Sequence, residues 1–144
     1  MGKKRIIKKG DTTSSEHLTI AALKKKIKRR ISAGHVYINS TYNNTIITFT
    51  DEHGAVIFWG SAGSLGFSGA KKSTPYAASK VATLLTERAK AIGLENVNIF
   101  VRGVGAGRES AIRSIASGGL AITFIKDMTP VPFNGPRARK VRHP

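Results

Sequence analysis

Three stretches of this chain carry residue types that could do chemistry. The first is Arg102-Gly-Val-Gly-Ala-Gly-Arg-Glu-Ser-Ala-Ile-Arg113, which follows the apolar run Val97–Val101. Glycines at a strand-to-helix junction let backbone N–H groups approach an anion, and the positive end of the helix dipole favours one there. Arg102 and Arg108 flank the loop, and Arg113 stands further along the helix. A guanidinium can offer a phosphodiester two parallel hydrogen bonds. No nucleotide-cofactor fingerprint is met. G-x-G-x-x-G needs a third glycine where Arg108 stands, and the phosphate-loop pattern G-x-x-x-x-G-K-[ST] occurs nowhere. The bland alternative is a tight turn made by the glycines, with Glu109 answering the helix dipole.

The second stretch is Lys71-Lys72-Ser73-Thr74-Pro75, again at a helix start behind a glycine loop. Two ammonium groups, two hydroxyls and free helix N–H groups would converge on an anion. Alternatively, Ser73 and Thr74 only cap the helix and the lysines are solvated. The third is Asn39-Ser-Thr-Tyr-Asn-Asn-Thr45. The amides of Asn39, Asn43 and Asn44 could hydrogen-bond bases or sugars, and Tyr42 could stack on an unpaired base. An edge-strand bulge with local side-chain hydrogen bonds would explain the same residues.

Catalysis finds little support. The histidines at 17, 35, 53 and 143 lack metal-ligand spacing, and no G-x-S-x-G nucleophile elbow occurs. Asp51 and Glu52 fall in a turn, while Glu87, Glu95, Glu109 and Asp127 are scattered. No catalytic set, metal site or cofactor is expected.

These stretches need elements to hold them. Val36–Ile38 and Thr45–Thr50 are rich in β-branched and aromatic residues and read as strands. Asp51-Glu-His-Gly54 reads as a hairpin turn, and Ala55–Trp59 as the returning strand. Residues 60–70 form a glycine-rich loop. Ser73 or Thr74 caps a helix that Pro75 opens. Its buried face is Ala78, Val81, Ala82, Leu85, Ala89 and Ile92, and Gly93 stops it. A strand over Val97–Val101, the loop 103–107, a helix from about 108 to 117 and a strand over Ala121–Ile125 complete the chain. The order β-β-β-α-β-α-β predicts an α/β fold: one mixed sheet with helices packed on it.

The formal net charge is +16, from 24 Lys or Arg against 8 acids over 144 residues. A field of that size attracts polyanions, nucleic acid first among them. The charge is uneven. Residues 1–30 hold eleven basic residues and two acids, residues 129–144 hold four and none, and the middle is nearly balanced. The expected organisation is a basic N-terminal arm (1–34), a globular RNA-binding domain (35–128) and a basic C-terminal tail (129–144). Within the arm, Thr13-Ser-Ser-Glu16 reads as a capping box, and Ile20, Leu23, Ile27 and Ile31 recur at helical spacing among lysines and arginines. That basic amphipathic helix would lie on RNA or on the domain's own core. Cysteine is absent, and no run of eighteen apolar residues could span a bilayer, so no membrane partner is expected. The N-terminal glycine lacks the Ser or Thr that myristoylation wants, since Ile6 stands there, while a basic, acid-poor start also fits an organelle transit peptide.

Four motifs then occur in order: STYNNTIITFTD (40–51), KKSTPYAA (71–78), GVGAGRES (103–110) and DMTPVPFNG (127–135). Together they resemble the small-subunit ribosomal protein eleven family, of bacterial or organellar type, over roughly residues 35–140. The resemblance implies a ribonuclease-H-like fold with a five-stranded mixed sheet. It implies a structural role on the small-subunit platform, bound to small-subunit ribosomal RNA near the exit site, with messenger RNA nearby. It also implies neighbours of the small-subunit protein seven, eighteen and twenty-one types, and a place on cytoplasmic or organellar ribosomes. Carried over by motif, RNA contacts fall on Asn43, Asn44, Lys71, Lys72, Ser73, Arg108 and the tail from Asn134 through Arg137, Arg139, Lys140 and Arg142. The chain departs from the family pattern at Val104 and Ala106, where prolines are common, at Ser68, where a basic residue is common, and at Pro136, where cysteine is. Asn134-Gly135 is also a pair open to succinimide chemistry.

Overall fold

The computed structural model describes residues 31–142. The expected capping box and amphipathic helix of the arm lie outside the described residues, except Ile31, and so do His143 and Pro144. Five strands, β1 (Ala33–Ser40), β2 (Thr45–Asp51), β3 (Val56–Ser61), β4 (Asn96–Arg102) and β5 (Ala121–Asp127), form one sheet in the order β3-β2-β1-β4-β5. β1–β2 and β2–β3 pair antiparallel; β1–β4 and β4–β5 pair parallel. Two helices, α1 (Pro75–Ile92) and α2 (Gly107–Ser117), make the crossovers. This is the expected mixed five-stranded sheet.

Strand alternation decides which residues meet the helices. Val36 and Ile38 of β1 stand in register with Phe49 and Ile47 of β2 and with Ile99 and Val101 of β4, and all are buried. Phe58 extends this layer by stacking on Phe49, centroids 4.9 Å apart. The face of α1 carrying Ala77, Ala78, Val81, Ala82, Leu85 and Ala89 closes over it, with Ala111 and Ile115 of α2 beside it. Burying one side chain the size of Leu85 or Phe49 stabilises the fold by roughly 1.5–3 kcal/mol.

Local chemistry sets the element ends. The Thr74 hydroxyl accepts a hydrogen bond from the Ala77 N–H at 3.3 Å, Pro75 takes the first helical position, and Gly93 ends α1 in the left-handed region at φ 96°. At the hairpin, Asp51 Oδ1 accepts from the N–H groups of His53 (2.9 Å) and Ala55 (2.8 Å).

Several boundaries differ from expectation. β1 begins at Ala33, inside the segment assigned to the arm, and Ile31 already packs against the core. β1 and β5 run further than their apolar centres because ladder pairing, not hydropathy, ends a strand: His35, Asn39, Lys126 and Asp127 all pair. The loop 60–70 is not structureless. Two short 3-10 turns, Gly63–Leu65 and Gly69–Ser73, carry the chain into α1. On α1, Ala77 and Thr86 join the buried face, whereas Ile92 is only partly buried.

Candidate nucleic-acid interface

The parallel pairing of β1, β4 and β5 places their C-terminal ends together, beside the start of β2 and the end of β3. The β1–β2 turn, the 62–74 segment, the glycine loop and the C-terminal tail all leave the sheet at this end. Open α/β sheets bind ligands at the carboxyl ends of their parallel strands.

Two N–H groups of the glycine loop are already engaged within the protein. The Gly103 N–H donates to Thr129 Oγ1 (3.2 Å) and the Gly105 N–H donates to the Ser40 carbonyl (2.9 Å). Its glycines also serve close approach. A Cβ on Gly103 would strike the Ser40 carbonyl, one on Gly105 the Thr41 carbonyl, and one on Gly107 both Thr45 Oγ1 and, at 2.8 Å, the Cβ of Ala78. The loop is thus a clamp that fastens the β1–β2 turn and the first turn of α1 to α2.

Arg108, expected as a phosphate ligand, also fastens the loop. One guanidinium nitrogen donates to the Gly103 carbonyl and to Thr129 Oγ1 (3.2 Å), and another pairs with Asp127 at 2.6 Å. Asp127 also accepts from the hydroxyl (2.6 Å) and the N–H (2.8 Å) of Thr129. The Thr129 hydroxyl first, then the Arg108 guanidinium and the Thr129 N–H, hold the Asp127 carboxyl well below the usual carboxylate range. This network ties the start of the tail to the glycine loop. Neither Asp127 nor Thr129 stood among the expected site residues. The signal was the local Asp-x-Thr spacing, which lets one carboxylate oxygen accept from the hydroxyl and the N–H two residues on.

The other expected residues divide by what they already hold. Ser73 Oγ donates to the Ala70 carbonyl (3.0 Å), and Thr74 caps α1 while donating to the Lys71 carbonyl (2.8 Å). Their hydroxyls are engaged in local bonds, and Lys71 and Lys72 have no carboxylate partner among the described residues. In the β1–β2 turn, Thr41 makes the local bonds: its hydroxyl accepts from the N–H groups of Asn43 (3.4 Å) and Asn44 (3.2 Å). Tyr42, 77% exposed, and Asn43 point outward, while Asn44 Oδ1 is buried without a partner. Asn39 and Arg102 are neighbours in the β1–β4 register and belong to the face of the sheet that the helices leave open. Arg113 pairs with Glu109 at 3.3 Å on the exposed side of α2. The tail residues Arg137, Arg139, Lys140 and Arg142 are exposed, and Asn134 sits in the left-handed region at φ 52°, just before Gly135.

Carboxylates are distributed to match. Asp51, Glu52 and Glu95 sit at the far end of the sheet, where β1 and β4 begin. The two near the loop end, Asp127 and Glu109, are each paired with an arginine. Glu87 of α1, which lines a cavity with Leu65, Phe67 and Lys80, has no ion-pair partner among the described residues. No group of three or more His, Cys, Asp or Glu that could hold a metal occurs among them, and no described helix is long and apolar enough to cross a membrane.

Comparison with known proteins agrees with the motifs. The model of the family described as "Ribosomal protein S11" matches residues 34–143. A protein of Treponema pallidum (strain Nichols) named "Small ribosomal subunit protein uS11" is 52% identical over 119 residues, covering 83% of this chain and 94% of that one. Proteins of the same name from Thermosipho africanus (strain TCF52B) and Borreliella burgdorferi (strain ZS7) are 51% identical over 124 residues and 50% identical over 119. They cover 86% and 83% of this chain, and 96% and 92% of their own lengths. With its sheet order, its four motifs and this similarity running through nearly the whole described domain, the chain belongs to the ribosomal protein S11 family.

Proposed function

We propose that the protein is a structural component of the small ribosomal subunit that binds small-subunit ribosomal RNA through the loop end of its sheet. One observation carries this reading: Lys71, Lys72 and the tail cations leave the same end of the sheet, and the carboxylates there are already neutralised by Arg108 and Arg113. A polyanion meets more cations than unpaired carboxylates at that end. Lysine and arginine would neutralise phosphates brought together by RNA folding, while the clamped glycine loop keeps their anchors at fixed spacing. Tyr42, Asn43 and Asn44 would contact bases or sugars at the turn. Ser73 and Thr74 would act by holding the lysines in place, and Arg108 by setting where the tail departs. The basic arm and tail, residues 1–34 and 129–144, would run between RNA elements. The role is architectural, not catalytic. The resemblance supports a platform position near the exit site, neighbours of the small-subunit protein seven, eighteen and twenty-one types, and a cytoplasmic ribosome.

The test is filter binding of small-subunit RNA across a salt series. Lys71→Ala and Lys72→Ala should each lower the slope of log affinity against log salt by roughly 0.7–0.9. An unchanged slope in both variants would remove the lysines from the interface. Co-sedimentation with the small subunit at high salt separates this reading from a general RNA-binding protein free of the ribosome, which would wash off.

A further inference from the structure

The helices cover one face of the sheet. Among the described residues, no helix covers the other. Following the register across that face gives a row, Trp59, Thr48, Tyr37, Phe100 and Lys126, on β3, β2, β1, β4 and β5. On one side of it stand Ile46, Asn39 and Arg102, and on the other His35, Asn98 and Phe124. Strand alternation explains why these residues share a face, and it leaves no Asp or Glu among them.

The rings are organised. Tyr37 and Phe100 stack with centroids 5.0 Å apart and planes 14° apart, and Phe124 meets Phe100 edge-on at 5.5 Å. Phe100 lies against one face of Tyr37, and on the other side of Tyr37 the register places Thr48 and then Trp59. Tyr37 is 37% exposed, Phe124 43% and Trp59 59%. Beside the ring pair, Tyr37, Asn39, Phe100, Arg102 and Met128 line a cavity of about 270 Å³. Arg102 and Lys126 have no carboxylate partner among the described residues.

We infer that this open face is a second RNA-contacting surface, on which Tyr37, Phe100, Phe124 and Trp59 stack the bases of an unpaired RNA segment while Arg102 and Lys126 hold its phosphates. Every base has a π-face, so an aromatic sheet binds single strands with little sequence preference, and amides such as Asn39 and Asn98 can read base edges. Charge complementarity selects the occupant. A protein partner would bury the two cations unless it brought carboxylates to meet them, whereas an RNA backbone carries the matching charge along its length. This inference rests on the RNA-binding reading above and adds a base-contacting surface to a phosphate-contacting one.

The experiment uses the full chain and two single-stranded RNA decamers of equal phosphate number, one oligouridylate and one abasic. Trp59, the one tryptophan of the sequence, reports binding by fluorescence. The oligouridylate should bind about fivefold or more tightly than the abasic strand, and it alone should quench Trp59. Tyr37→Leu and, separately, Phe124→Leu on the edge strand should erase that preference without changing the salt slope. Equal affinities for the two decamers, with the salt slope intact, overturn the stacking surface and leave the phosphate reading standing. Binding of neither decamer, with no salt dependence toward small-subunit RNA, sinks the phosphate reading itself. A base preference that emerges only after residues 1–30 are removed shows that the chain's own arm, not RNA, occupies the face. Ultraviolet cross-linking of the assembled subunit that joins the Tyr37 peptide to a protein instead of a nucleotide also overturns the inference.

Discussion

The two glycine-rich junctions of this protein look alike in composition and work differently. Between β3 and α1, a Cβ added at Gly66 or Gly69 would meet nothing within 4 Å, and one at Gly63 only the Lys72 stem and Ser61 Oγ at 3.7 Å or more. Here glycine supplies backbone freedom, as the left-handed φ of 86° at Gly66 shows. Between β4 and α2, the glycines stand where a Cβ would overlap the backbone of Ser40 and Thr41 or the side chains of Thr45 and Ala78. The first junction is an open surface that presents lysines. The second is a packed joint that fixes the geometry of everything around it. A glycine loop before a helix is therefore not by itself an anion site; what its N–H groups already hold decides that.

The sharpest way to break this contrast is a matched pair of substitutions. Gly107→Ala should lose about 3 kcal/mol of stability by overpacking, whereas Gly63→Ala should stay within about 0.5 kcal/mol. Urea unfolding of the two variants measures both, and equal losses would refute the distinction. The helix starts give a smaller comparison. Thr74→Ala removes a working cap and should cost about 1 kcal/mol, read in the same way. At the other start, Ala106 has no side-chain cap and a φ of −63°, already in the range of proline. Ala106→Pro, which restores a residue common in the family, should therefore gain roughly 0.4–1 kcal/mol through a stiffer unfolded chain. A loss would mean that the joint needs the Ala106 N–H or a different backbone before it.

The acidic limb of stability probes the fastener of the packed joint. Asp127 is held below its ordinary value of 3.8 in the folded state, so the unfolded chain takes up the proton first as pH falls. Its contribution is present above that value and is lost progressively below it. The thermal midpoint of the parent should exceed that of Asp127→Asn most clearly above about pH 5, and the gap should close toward about pH 2. A gap that does not change with pH would show that the carboxylate's charge is not what ties the tail to the loop. The smallest effect belongs to the exposed Arg113–Glu109 pair, where Arg113→Ala should shift stability by less than about 0.5 kcal/mol.

Much of the fold was legible because the signals are local. Alternating apolar residues at 36–38, 45–50 and 97–101, the Thr74-Pro75 start and the Gly93 stop each report on a few neighbouring residues, and each element formed close to its expected place. Individual side-chain roles were less legible. Arg108 reads as a phosphate ligand from its loop, and its bond to Asp127, nineteen residues away, is seen only in the fold. Ser73 and Thr74 read as anion donors from the sequence, and the fold adds that their hydroxyls are bonded to the Ala70 and Lys71 carbonyls. Tyr37 and Phe100 are sixty-three residues apart in the chain and read as ordinary strand aromatics, because nothing local tells which side of a strand faces the helices.

The sequence by itself determined the charge, the α/β element order and the family motifs, since these rest on composition and short-range spacing. Only the tertiary structure decided which cations remain available and which face of the sheet stays open. Both depend on partners brought together by strand pairing and helix crossover, across separations that no local pattern records.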